Sequence, residues 1–502
     1  MKVSLIFSPF VTNLLIPPLA PALLKGCLEK ENIPTTTFDF NLWFQQEFHD
    51  DNLQNLIAWM TTPDYQLSVE LFALYQNFVL HCVNSVINSE PDVVGVSVFS
   101  HESQRFAEDF CYHLRRLKPG IHIMLGGSGV TVVQNYYNKT WSAVIIDSGL
   151  ADSACHGEGE LVLVDLIRNR HRGIFVSPQI DNEEMLDVPV PKFDNYELDR
   201  YGPRDQLQLP ITATKGCVRK CTFCDVGKIW PKFRYRKGAS VANEMITIYE
   251  NHGIRNFAFT DSLMNGGLKP FREMNQELST RLPNTIHYSG QFICRDQDSM
   301  PPEDFKLMQE GGCRLVSIGI EAGSERVRNH MKKGFSDADL DYTATQLLNN
   351  GITQWWNIIV GYPTETDEDW QSTIDLIHRY SKHSDLVKIT PVGVFQLLSG
   401  TPITTNGMLD ELEIENHISY GYSEYNWSSR LNPGNNLRSR VERWIELVDL
   451  LKKYNMLSFS KQRLDQKTQV MLQQLKYYES KPNRAVFEIR QQSFQEPANF
   501  VN

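Results

Sequence analysis

Three cysteines, Cys217, Cys221 and Cys224, stand in a C-x3-C-x2-C spacing within residues 214–225. Thiolates are soft ligands that suit iron–sulfur clusters and zinc. A closed structural zinc site takes four ligands, and the next cysteine along the chain is Cys294. Four irons held by three cysteines leave one iron open to a small molecule. We therefore predict that the three thiols ligate one cluster; a zinc knuckle and a set of buried free cysteines are the alternatives.

An aromatic residue, Phe223, stands directly before the last of these cysteines. The stretch resembles the C-x3-C-x-aromatic-C signature of the radical S-adenosylmethionine (SAM) superfamily. The resemblance implies a [4Fe–4S] cluster whose open iron chelates the amino and carboxylate groups of SAM. It implies reductive cleavage of SAM to a 5′-deoxyadenosyl radical, and hence an electron donor such as flavodoxin or ferredoxin. Phe223 is expected to shield the cluster and to touch the adenine.

Strand-like and helix-like segments alternate through residues 207–395. The six predicted strands are Leu209–Thr214, Asn256–Asp261, Ile286–Ile293, Leu315–Glu321, Trp355–Val360 and Val387–Phe395. The helical patterns between them are Val241–His252, Pro270–Leu282, Pro302–Glu310, Asp337–Asn349 and Glu368–Tyr380. This α/β alternation predicts a radical SAM core built as a partial (β/α)6 barrel of the TIM type, with its chemistry at the carboxyl ends of the strands.

Polar side chains follow the second and third predicted strands. Asp261 and Ser262 are placed to meet the amino group of SAM, or alternatively to cap the next helix. Arg295 is suited to a bidentate pair with a carboxylate, or alternatively to a surface ion pair. We expect all three residues to contribute to SAM binding.

The fourth and fifth strands end in segments that resemble motifs of the same family. The first, Ile318-Gly-Ile-Glu-Ala-Gly-Ser324, implies that Glu321 hydrogen-bonds the ribose hydroxyls or the amino group of SAM. The segment Met331-Lys-Lys-Gly334 follows it, as in relatives that carry a cobalamin domain. The second, Val360-Gly-Tyr-Pro-Thr-Glu-Thr366, implies that the backbone around Gly361 lies along the adenine. Thr364 stands in place of the usual glycine, so we expect a slightly different turn there.

Residues 1–180 also alternate between strands and helices. The predicted strands are Lys2–Phe7, Thr35–Phe40, Val93–Phe99, Ile121–Leu125 and Ala143–Asp147. The predicted helical segments are Pro18–Glu31, 52–89 and Phe106–Leu117. The continuous apolar strands predict a doubly wound, Rossmann-like parallel sheet that binds ligands at the carboxyl ends of its strands.

In order, these N-terminal segments resemble the cobalamin-binding domain that precedes many radical SAM cores. The matched pieces are Pro17-Pro-Leu-Ala-Pro21, Phe38-Asp-Phe-Asn41, Val94-Gly-Val-Ser-Val98, Leu125-Gly-Gly-Ser128 and His156-Gly-Glu-Gly-Glu160. The resemblance implies that a pocket for the cobalamin nucleotide tail is lined by Ser97, Gly126, Gly127, Ser128 and Gly129.

The loop after the first strand, Ser8–Asn13, lacks the cobalt-ligating histidine found in the D-x-H-x-x-G form of this domain. His101 and His156 are expected to be surface or core residues rather than ligands. We therefore predict cobalamin held without a histidine on cobalt. The alternative is a domain that has lost its cofactor and only covers the barrel.

The remaining segments are a linker and a C-terminal region. Prolines punctuate the polar linker at 181–206. Residues 396–502 contain the aromatic residues Tyr420, Tyr422, Tyr425 and Trp427, which are expected to be core or to line a substrate pocket. Helices are predicted at Arg438–Tyr454 and Thr468–Tyr478. In relatives this region closes the barrel and meets the substrate.

The composition limits the kinds of partner and the location to be expected for this 502-residue chain. Its formal net charge of −11 and pI of about 5.7 argue against bulk nucleic acid as a substrate. The scattered cysteines indicate a reducing cytosol. Prolines interrupt the apolar run at residues 5–24, so neither a membrane span nor a signal peptide is expected.

The resemblances together indicate a cobalamin-dependent radical SAM enzyme. Removing hydrogen from an unactivated carbon requires cofactor chemistry that no side chain supplies. We expect a methyltransferase acting on an unactivated carbon of a small molecule or lipid. Cyclisation, rearrangement or oxidation without methyl transfer, a core that binds no cobalamin, and a non-enzymatic iron–sulfur sensor are the alternatives.

Overall fold

A computed structural model describes most of the chain and divides it into two compact units. The first unit comprises residues 1–181, 186–210 and 247–256, and the second comprises 182–185, 211–246 and 257–502. The residues described are 1–10, 16–61, 65–134, 139–178, 185, 188–415, 423–424, 427–458, 464–465, 468–469, 471–472 and 475–476.

A parallel sheet of six strands forms the centre of the first unit. Its strands are β1 (Val3–Phe7), β2 (Thr35–Asp39), β3 (Val93–Ser97), β4 (His122–Gly126), β5 (Ser153–His156) and β6 (Gly173–Val176). They lie in the order β2-β1-β3-β4-β5-β6, and all five neighbouring pairs are parallel. The order reverses between β1 and β3, which creates a topological switch point where such sheets bind ligands.

Helices cover both faces of this sheet. They are α1 (Leu19–Lys30), α2 (Phe40–Glu47), α3 (Asp50–Thr61), α4 (Val69–Asn88), α5 (Gln104–Leu117), α6 (Trp141–Asp147) and α7 (Leu163–Arg168). Ile6 packs into a core with Phe106 and Phe110, whereas Leu5 packs with Leu28 on the other face. Successive strand residues thus enter opposite cores, as in a doubly wound fold. The predicted fold class of this unit is confirmed.

One predicted strand is wrong. Residues 143–147 lie in helix α6, because the Thr140 side chain caps it by accepting a hydrogen bond from the Ala143 backbone at 3.4 Å. Trp141 and Ile145, four residues apart, are buried together. A short apolar run fits both periodicities, so the cap decided the outcome. The fifth strand is instead β5, whose Ser153 and His156 gave it a polar appearance.

A second six-stranded sheet carries the cysteine loop. Its strands are β7 (Gln208–Ile211), β8 (Asn256–Phe259), β9 (His287–Phe292), β10 (Cys313–Glu321), β11 (Thr353–Val360) and β12 (Val387–Val394). They lie side by side in sequence order, and the pairs from β9 to β12 are parallel. All six predicted core strands are present, and their order is that of a partial barrel.

Helices follow the strands of this sheet. They are α8 (Gly238–His252), α9 (Leu268–Arg281), α10 (Pro302–Glu310), α11 (Glu325–His330), α12 (Asp337–Asn349), α13 (Asp367–Tyr380) and α14 (Leu437–Lys453). Capping boxes begin three of them, at Ser336, Thr366 and Asn436. These local signals explain why the helix starts were readable from sequence.

Short elements complete the described chain. The 3-10 turns are His101–Ser103, Ser128–Thr131, Gly159–Leu161, Leu198–Tyr201 and Ser381–His383, and single helical turns are Val226–Ile229, Pro402–Thr405 and Met408–Glu411. Two-residue antiparallel pairs join Val133–Gln134 to Lys139–Thr140, Thr214–Lys215 to Arg234–Tyr235, Leu397–Leu398 to Ser423–Glu424, and Ile414–Glu415 to Ser428–Ser429.

Some predictions fall wholly or partly outside the described residues. Tyr420, Tyr422 and Tyr425 lie outside them, and only part of the predicted helix at 468–478 lies inside. Trp427 is described and is buried. Among the described helices, none combines the length and the apolar character that a membrane span requires.

Candidate active site

The cysteine loop is closed at its base by backbone pairing. Lys215 pairs with Arg234 in a short antiparallel ladder, and Cys217 follows two residues later. Gly216 between them has a φ of +80°, and a Cβ there would lie 2.5 Å from the Lys232 carbonyl oxygen. Only glycine meets both conditions without strain, so Gly216 fixes the direction in which the loop leaves the ladder.

Thr222 anchors the middle of the loop to three other segments. Its N–H donates to the Met331 carbonyl at 3.0 Å, and its carbonyl accepts from the Ile403 N–H at 2.8 Å. Its hydroxyl lies 2.9 Å from the Tyr362 hydroxyl, which lies 2.9 Å from His330 Nδ1. These contacts fix the position of the loop relative to Met331, Tyr362 and Ile403.

The thiols of the three predicted cluster ligands lie close enough together to influence one another's ionisation. Cys221 is buried, and Cys217 and Cys224 are half-buried. Burial raises the pKa of Cys221 to about 11; Lys333 opposes this rise, and the other two thiols add to it. Burial also raises the pKa of Cys224. A metal that binds these thiols must displace their protons, which its charge makes favourable.

The residues present suit a cluster by the chemistry of their donor atoms. Within the described residues, no group of three or more His, Cys, Asp and Glu side chains is arranged to hold one metal ion. A four-iron cube is larger than one ion and needs its three thiolates further apart. The chemistry of three soft thiols with one open position remains that of a [4Fe–4S] cluster.

Glu321 lies at an irregular end of strand β10. The pairing with β11 shifts register between Gly319 and Glu321, and Glu321 has a φ of +69°. The residue as a whole is 7 % exposed, and Oε1 accepts from Lys333 Nζ at 3.0 Å. A glutamate in the left-handed region costs of order 1 kcal/mol or more, so the surrounding structure must hold it there. This bulge turns its carboxylate toward the buried ammonium.

Lys333 is a site residue that the sequence did not single out. It is buried, and its Nζ lies 5.8 Å from the centroid of the Phe223 ring. Burial lowers the pKa of Lys333, but Glu321, Cys221 and Cys224 together raise it above its ordinary value. The charged form is therefore favoured beside the thiols. The only sequence signal was its place in Met331–Gly334.

Asp261 holds the strand end that precedes the cysteine loop. Its buried carboxylate accepts from the Ala213 N–H at 3.0 Å and from the Thr214 N–H at 2.9 Å. Burial raises its pKa to about 8, and these backbone hydrogen bonds oppose the rise. Asp261 is thus a positioning residue in this structure. Contacts of Asp261 and the half-buried Ser262 with SAM stay predictions.

Arg295 lies close to Cys217 and to a second arginine. Its guanidinium donates to the carbonyls of Asn265 and Gly266, both at 3.0 Å. Burial lowers its pKa, Arg219 acts in the same direction, and Cys217 opposes both. The side chain therefore carries a positive charge to the edge of the cysteine loop. A bidentate contact with a carboxylate stays a prediction.

The loop after β11 is clamped from behind by helix α14. Gly361 has a φ of +80°, and a Cβ there would collide with the alkyl chain of Arg440. The Gly361 N–H donates to Glu365 Oε1 at 3.1 Å, and that oxygen pairs with Arg443 at 2.8 Å. Glu365 is only 1 % exposed, and burial raises its pKa to about 7 against the opposing charge of Arg443.

Arg440 completes this clamp as a fully buried cation. Its guanidinium donates to the Asn435 carbonyl at 3.0 Å and the Trp427 carbonyl at 2.9 Å, and lies 3.9 Å from the Trp427 ring centroid. Burial lowers its pKa to about 9. From the sequence, α14 is predicted to be an amphipathic helix, but the roles of its two buried arginines are not predicted, because a polar residue on a helix ordinarily faces solvent.

The glycine turn after β4 is tight rather than open. Gly127 has a φ of +94°, and a Cβ there would collide with the Val98 carbonyl. A Cβ at Gly129 would lie 2.6 Å from the Ser100 carbonyl oxygen. At Gly126, by contrast, a Cβ would meet no atom within 4 Å. Two glycines are therefore required by the turn itself, and Gly126 is the one that leaves room for a ligand.

Two buried hydroxyls lie near the switch point of the first sheet. Ser8 follows β1 and Ser103 follows β3, and neither Oγ has a hydrogen-bond partner among the described residues. Ser97 ends β3, and its carbonyl accepts from the Ser8 N–H at 3.1 Å. The exposed Ser128 hydroxyl donates to the Phe99 carbonyl. Buried hydroxyls without a partner, in the segments that follow β1 and β3, are the kind of group that a polar ligand could satisfy.

His101 and His156 differ in their surroundings. His156 Nε2 lies 2.8 Å from the Ser142 hydroxyl, and burial lowers the pKa of this imidazole. His101 is exposed in a 3-10 turn. Of the loop at 8–13, residues 11–13 lie outside the described chain. That cobalamin is held without a histidine on cobalt stays a prediction.

A family comparison identifies the second sheet. Residues 211–377 match the family model described as the Radical SAM superfamily. This part of the chain, which contains the cysteine loop and the Glu321–Lys333 pair, is a radical SAM domain. The resemblance inferred from the cysteine spacing is confirmed, and such a domain implies a [4Fe–4S] cluster and SAM.

Curated relatives match at low identity. An uncharacterized methyltransferase of Pyrococcus horikoshii is 22 % identical over 325 residues, 59 % of this chain and 65 % of the relative. Bacteriochlorophyllide d C-12(1)-methyltransferase of Chlorobaculum tepidum is 27 % identical over 237 residues, 45 % of this chain and 50 % of the relative. Anaerobic magnesium-protoporphyrin IX monomethyl ester cyclase of Cereibacter sphaeroides is 23 % identical over 309 residues, which are 57 % of this chain and 48 % of the relative. The matches thus span about half to two thirds of these relatives' lengths.

Solved structures share the fold over most of the chain. OxsB, a cobalamin-dependent SAM radical enzyme solved with aqua-cobalamin and SAM, has a TM-score of 0.65 at 15 % identity, covering 96 % of this chain and 73 % of its own. TsrM of Kitasatospora setae, a radical SAM methyltransferase solved with cobalamin and a [4Fe–4S] cluster, has a TM-score of 0.59 at 17 % identity. The match covers 84 % of this chain and 81 % of TsrM. The expected architecture is confirmed at the level of fold.

Replacing any one of Cys217, Cys221 and Cys224 with alanine should remove most of the iron and the broad visible absorbance of the reconstituted protein, because two thiolates cannot hold the cube. Iron analysis and absorbance after anaerobic reconstitution measure this. Cys294→Ala, at a fully buried cysteine outside the loop, is the control. A triple alanine variant that retained its iron would contradict the assignment.

Replacing Arg443 with methionine should lower the free energy of unfolding by about 3–5 kcal/mol, because it leaves the buried Glu365 carboxylate unpaired. The double variant Arg443→Met/Glu365→Gln should recover much of the loss in thermal unfolding. Arg379→Met is the matched control, since its ion pair with Asp341 is largely exposed and worth about 1 kcal/mol or less. If Arg443→Met and Arg379→Met lost equal amounts of unfolding free energy, the buried Arg443–Glu365 pair would contribute no more to stability than an exposed ion pair.

Proposed function

We propose that this chain is a cobalamin-dependent radical SAM enzyme that transfers a methyl group to an unactivated carbon of a small-molecule or lipid substrate. The observation that carries the proposal is the buried Glu321–Lys333 pair beside the three-cysteine loop. A carboxylate and an ammonium 3.0 Å apart offer opposite charges at one strand end. SAM presents an ammonium and a carboxylate on one carbon, so its charges match the pair.

The chain's own residues divide the work of binding SAM. Glu321 accepts hydrogen bonds from the amino group or the ribose hydroxyls, and Lys333 attracts the carboxylate. The backbone at Gly361, held by Glu365 and Arg440, presents a flat surface to the adenine. When bound, the cluster supplies the electron that cleaves SAM to a carbon-centred radical. Burial of these groups excludes water from a reactive intermediate.

The first unit is the proposed cobalamin domain. Its switch point between β1 and β3, the open space at Gly126 and the unpartnered hydroxyls of Ser8 and Ser103 suit the nucleotide tail. OxsB and TsrM, which share the fold, were solved with cobalamin bound. When bound, cobalamin supplies the methyl group, and SAM serves as methyl donor and radical source.

We assign four regions on this basis. Residues 1–180 form the cobalamin-binding domain, 181–206 the linker, 207–395 the radical SAM core, and 396–502 a region that closes the barrel and meets the substrate. The boundaries of the compact units near residues 181 and 210 support the first two divisions. All nine cysteines are free, which suits the proposed cytoplasmic location.

Two relatives favour methyl transfer and one favours another reaction. The relative from Chlorobaculum tepidum is named as a C-12(1)-methyltransferase, and the relative from Pyrococcus horikoshii is named as a methyltransferase without a stated substrate. The third relative is named as a cyclase. Ring closure without methyl transfer is therefore the second candidate. Incubation with SAM carrying a labelled methyl group, followed by mass spectrometry of candidate substrates, separates the two. Formation of 5′-deoxyadenosine without labelled product would favour the second.

Changing Glu321 to glutamine should weaken SAM binding about 10–100-fold, because a hydrogen bond to a charged group contributes about 1.5–3 kcal/mol. The shape of the side chain and the visible spectrum of the cluster should be retained. Anaerobic equilibrium dialysis with radiolabelled SAM gives the affinity. Glu310→Gln, at an exposed ion pair, is the control. Unchanged affinity in the Glu321 variant would make this residue purely structural.

Changing Gly126 to valine should abolish cobalamin retention without unfolding the protein, because the side chain fills space that is open in the structure. Gly120→Val, where a Cβ also meets nothing within 4 Å, is the matched control. Gly127 is unsuitable, since any side chain there strains the turn. The cobalt spectrum should be unaltered in His101→Ala and His156→Ala. A wild-type protein that retained no cobalamin after anaerobic reconstitution would contradict the assignment of the first unit as a cobalamin domain.

A further inference from the structure

Strands β9 to β12 of the second unit turn alternate side chains toward their helices. The Trp356 ring on β11 lies 4.7 Å from the Tyr380 ring of α13, measured between the ring centroids. Gln354 Nε2, on the same strand, donates to the Ala344 carbonyl of α12 at 2.9 Å. Successive side chains on a strand point to opposite faces of the sheet. The residues between these buried ones therefore lie on the face turned away from the helices, which we call the inner face.

One row of four residues crosses the inner face from strand to strand. Its members, each the register partner of the next, are Gln291 on β9, Ser317 on β10, Trp355 on β11 and Lys388 on β12. Gln291 is exposed, and the other three residues are half-buried. Three strand spacings make the row about 14 Å long, a length that a small molecule spans.

A second row joins the inner face to the Glu321–Lys333 pair. Its register partners are Gly319, Asn357 and Thr390, which lie one two-residue step, about 7 Å, closer to the carboxyl ends of the strands. A Cβ at Gly319 would collide with Glu321 Oε1 and would lie 2.8 Å from Lys333 Nζ. The inner face therefore begins directly at the groups that are proposed to bind SAM.

Polar side chains of this face have hydrogen-bonding groups available for a ligand. Across the described part of the chain, the side chains of Gln291, Ser317 and Asn357 have no hydrogen-bond partner, and neither does the indole N–H of Trp355. A ligand that carries donors and acceptors can satisfy these groups. An alkyl chain would instead cover them and leave them unpaired, at a cost in free energy.

The two rows carry one charge, the ammonium of Lys388. Lys388 is half-buried, and its ammonium donates to the Asn455 carbonyl at 2.8 Å. Among the described residues, no carboxylate lies within ion-pair distance of this ammonium. Glu321 is the only acidic residue in β9 to β12, and it is already paired with Lys333. A ligand that brings a negative charge would therefore complement the inner face at Lys388.

We propose that the inner face binds the substrate, and that this substrate is a small molecule with a planar ring and one negative charge. The ring lies against the Trp355 indole, the anionic group meets Lys388, and polar substituents meet Gln291 and Ser317. Aromatic rings in contact add stabilisation beyond the apolar area that they bury. The inference rests on the proposed function and narrows its substrate class, because this face selects a polar anion and not a lipid.

The test is ligand binding to the reconstituted full chain, with saturating SAM and an oxidised cluster so that no turnover occurs. Three probes are titrated by ligand-observed NMR: 2-naphthoate, the uncharged 2-naphthamide, and decanoate, which has the charge without the ring. We expect the wild type to bind 2-naphthoate about tenfold or more tightly than either of the other two. Equal affinities for the three probes would overturn the proposal, and tightest binding of decanoate would overturn it in favour of a lipid substrate.

Variants assign each probe contact to its residue. Lys388→Gln should lose the preference for 2-naphthoate over 2-naphthamide, and Trp355→Leu should lose the preference for 2-naphthoate over decanoate. Lys388→Arg should keep both preferences, which separates the loss of charge from a disturbance of the segment at Asn455. Lys382→Gln, at an exposed lysine of the same unit, is the matched control. An unchanged preference in Lys388→Gln would overturn the assignment of the charged contact.

The affinity for SAM, measured on the same samples, tests the proposed function separately. Because the row lies one two-residue step below the Glu321–Lys333 pair, the Lys388 and Trp355 variants should bind SAM as the wild type does. A wild-type chain that bound no SAM would count against the proposed function. Titrations repeated without SAM report on the inner face alone. A preference for 2-naphthoate that SAM abolished would place the probe at Lys333 and overturn the proposal.

Discussion

The ion pair between Glu321 and Lys333 is the interaction on which the candidate site depends. Burying two charges is expensive, and a buried pair is often no more stable than apolar residues of similar volume. Here the cost is accompanied by a left-handed glutamate and a register shift in β10. Stability alone does not account for three unfavourable features at one strand end. The proposed binding of SAM would account for them, because its ammonium and carboxylate would take both charges as partners and the pair would keep them compensated until SAM arrives.

The surrounding structure holds this pair by connecting chain segments that are distant in sequence. Thr222 ties the cysteine loop to Met331, Tyr362 and Ile403 through short hydrogen bonds. The loop after β11 is in turn held by the two buried arginines of α14. Each loop at the barrel end is thus supported by another rather than by its own strand alone. Such support positions reactive groups more firmly than loops of this length would by themselves.

The fold was largely predictable, because its signals are local and repeated. All six core strands and the helices between them follow from apolar periodicity and capping residues such as Ser336 and Thr366. The prediction failed at 143–147, where a run of five residues fits a strand or a helix and a threonine cap decided for the helix. The three cysteines were recognisable because their spacing is rare. Lys333 and Arg443 were not, since their roles depend on Glu321 and Glu365, which lie 12 and 78 residues away.

The glycine turn after β4 shows why residue type alone does not identify a binding site. Gly126, Gly127 and Gly129 look equivalent in sequence, each being a residue that lets a ligand approach the backbone. In the structure Gly127 and Gly129 instead let the chain approach itself, at the carbonyls of Val98 and Ser100. Only Gly126 leaves space unfilled. Because a turn and a ligand pocket both demand the missing Cβ, the pattern of glycines predicts a binding edge of the sheet, whereas the individual role of each glycine depends on the backbone geometry around it.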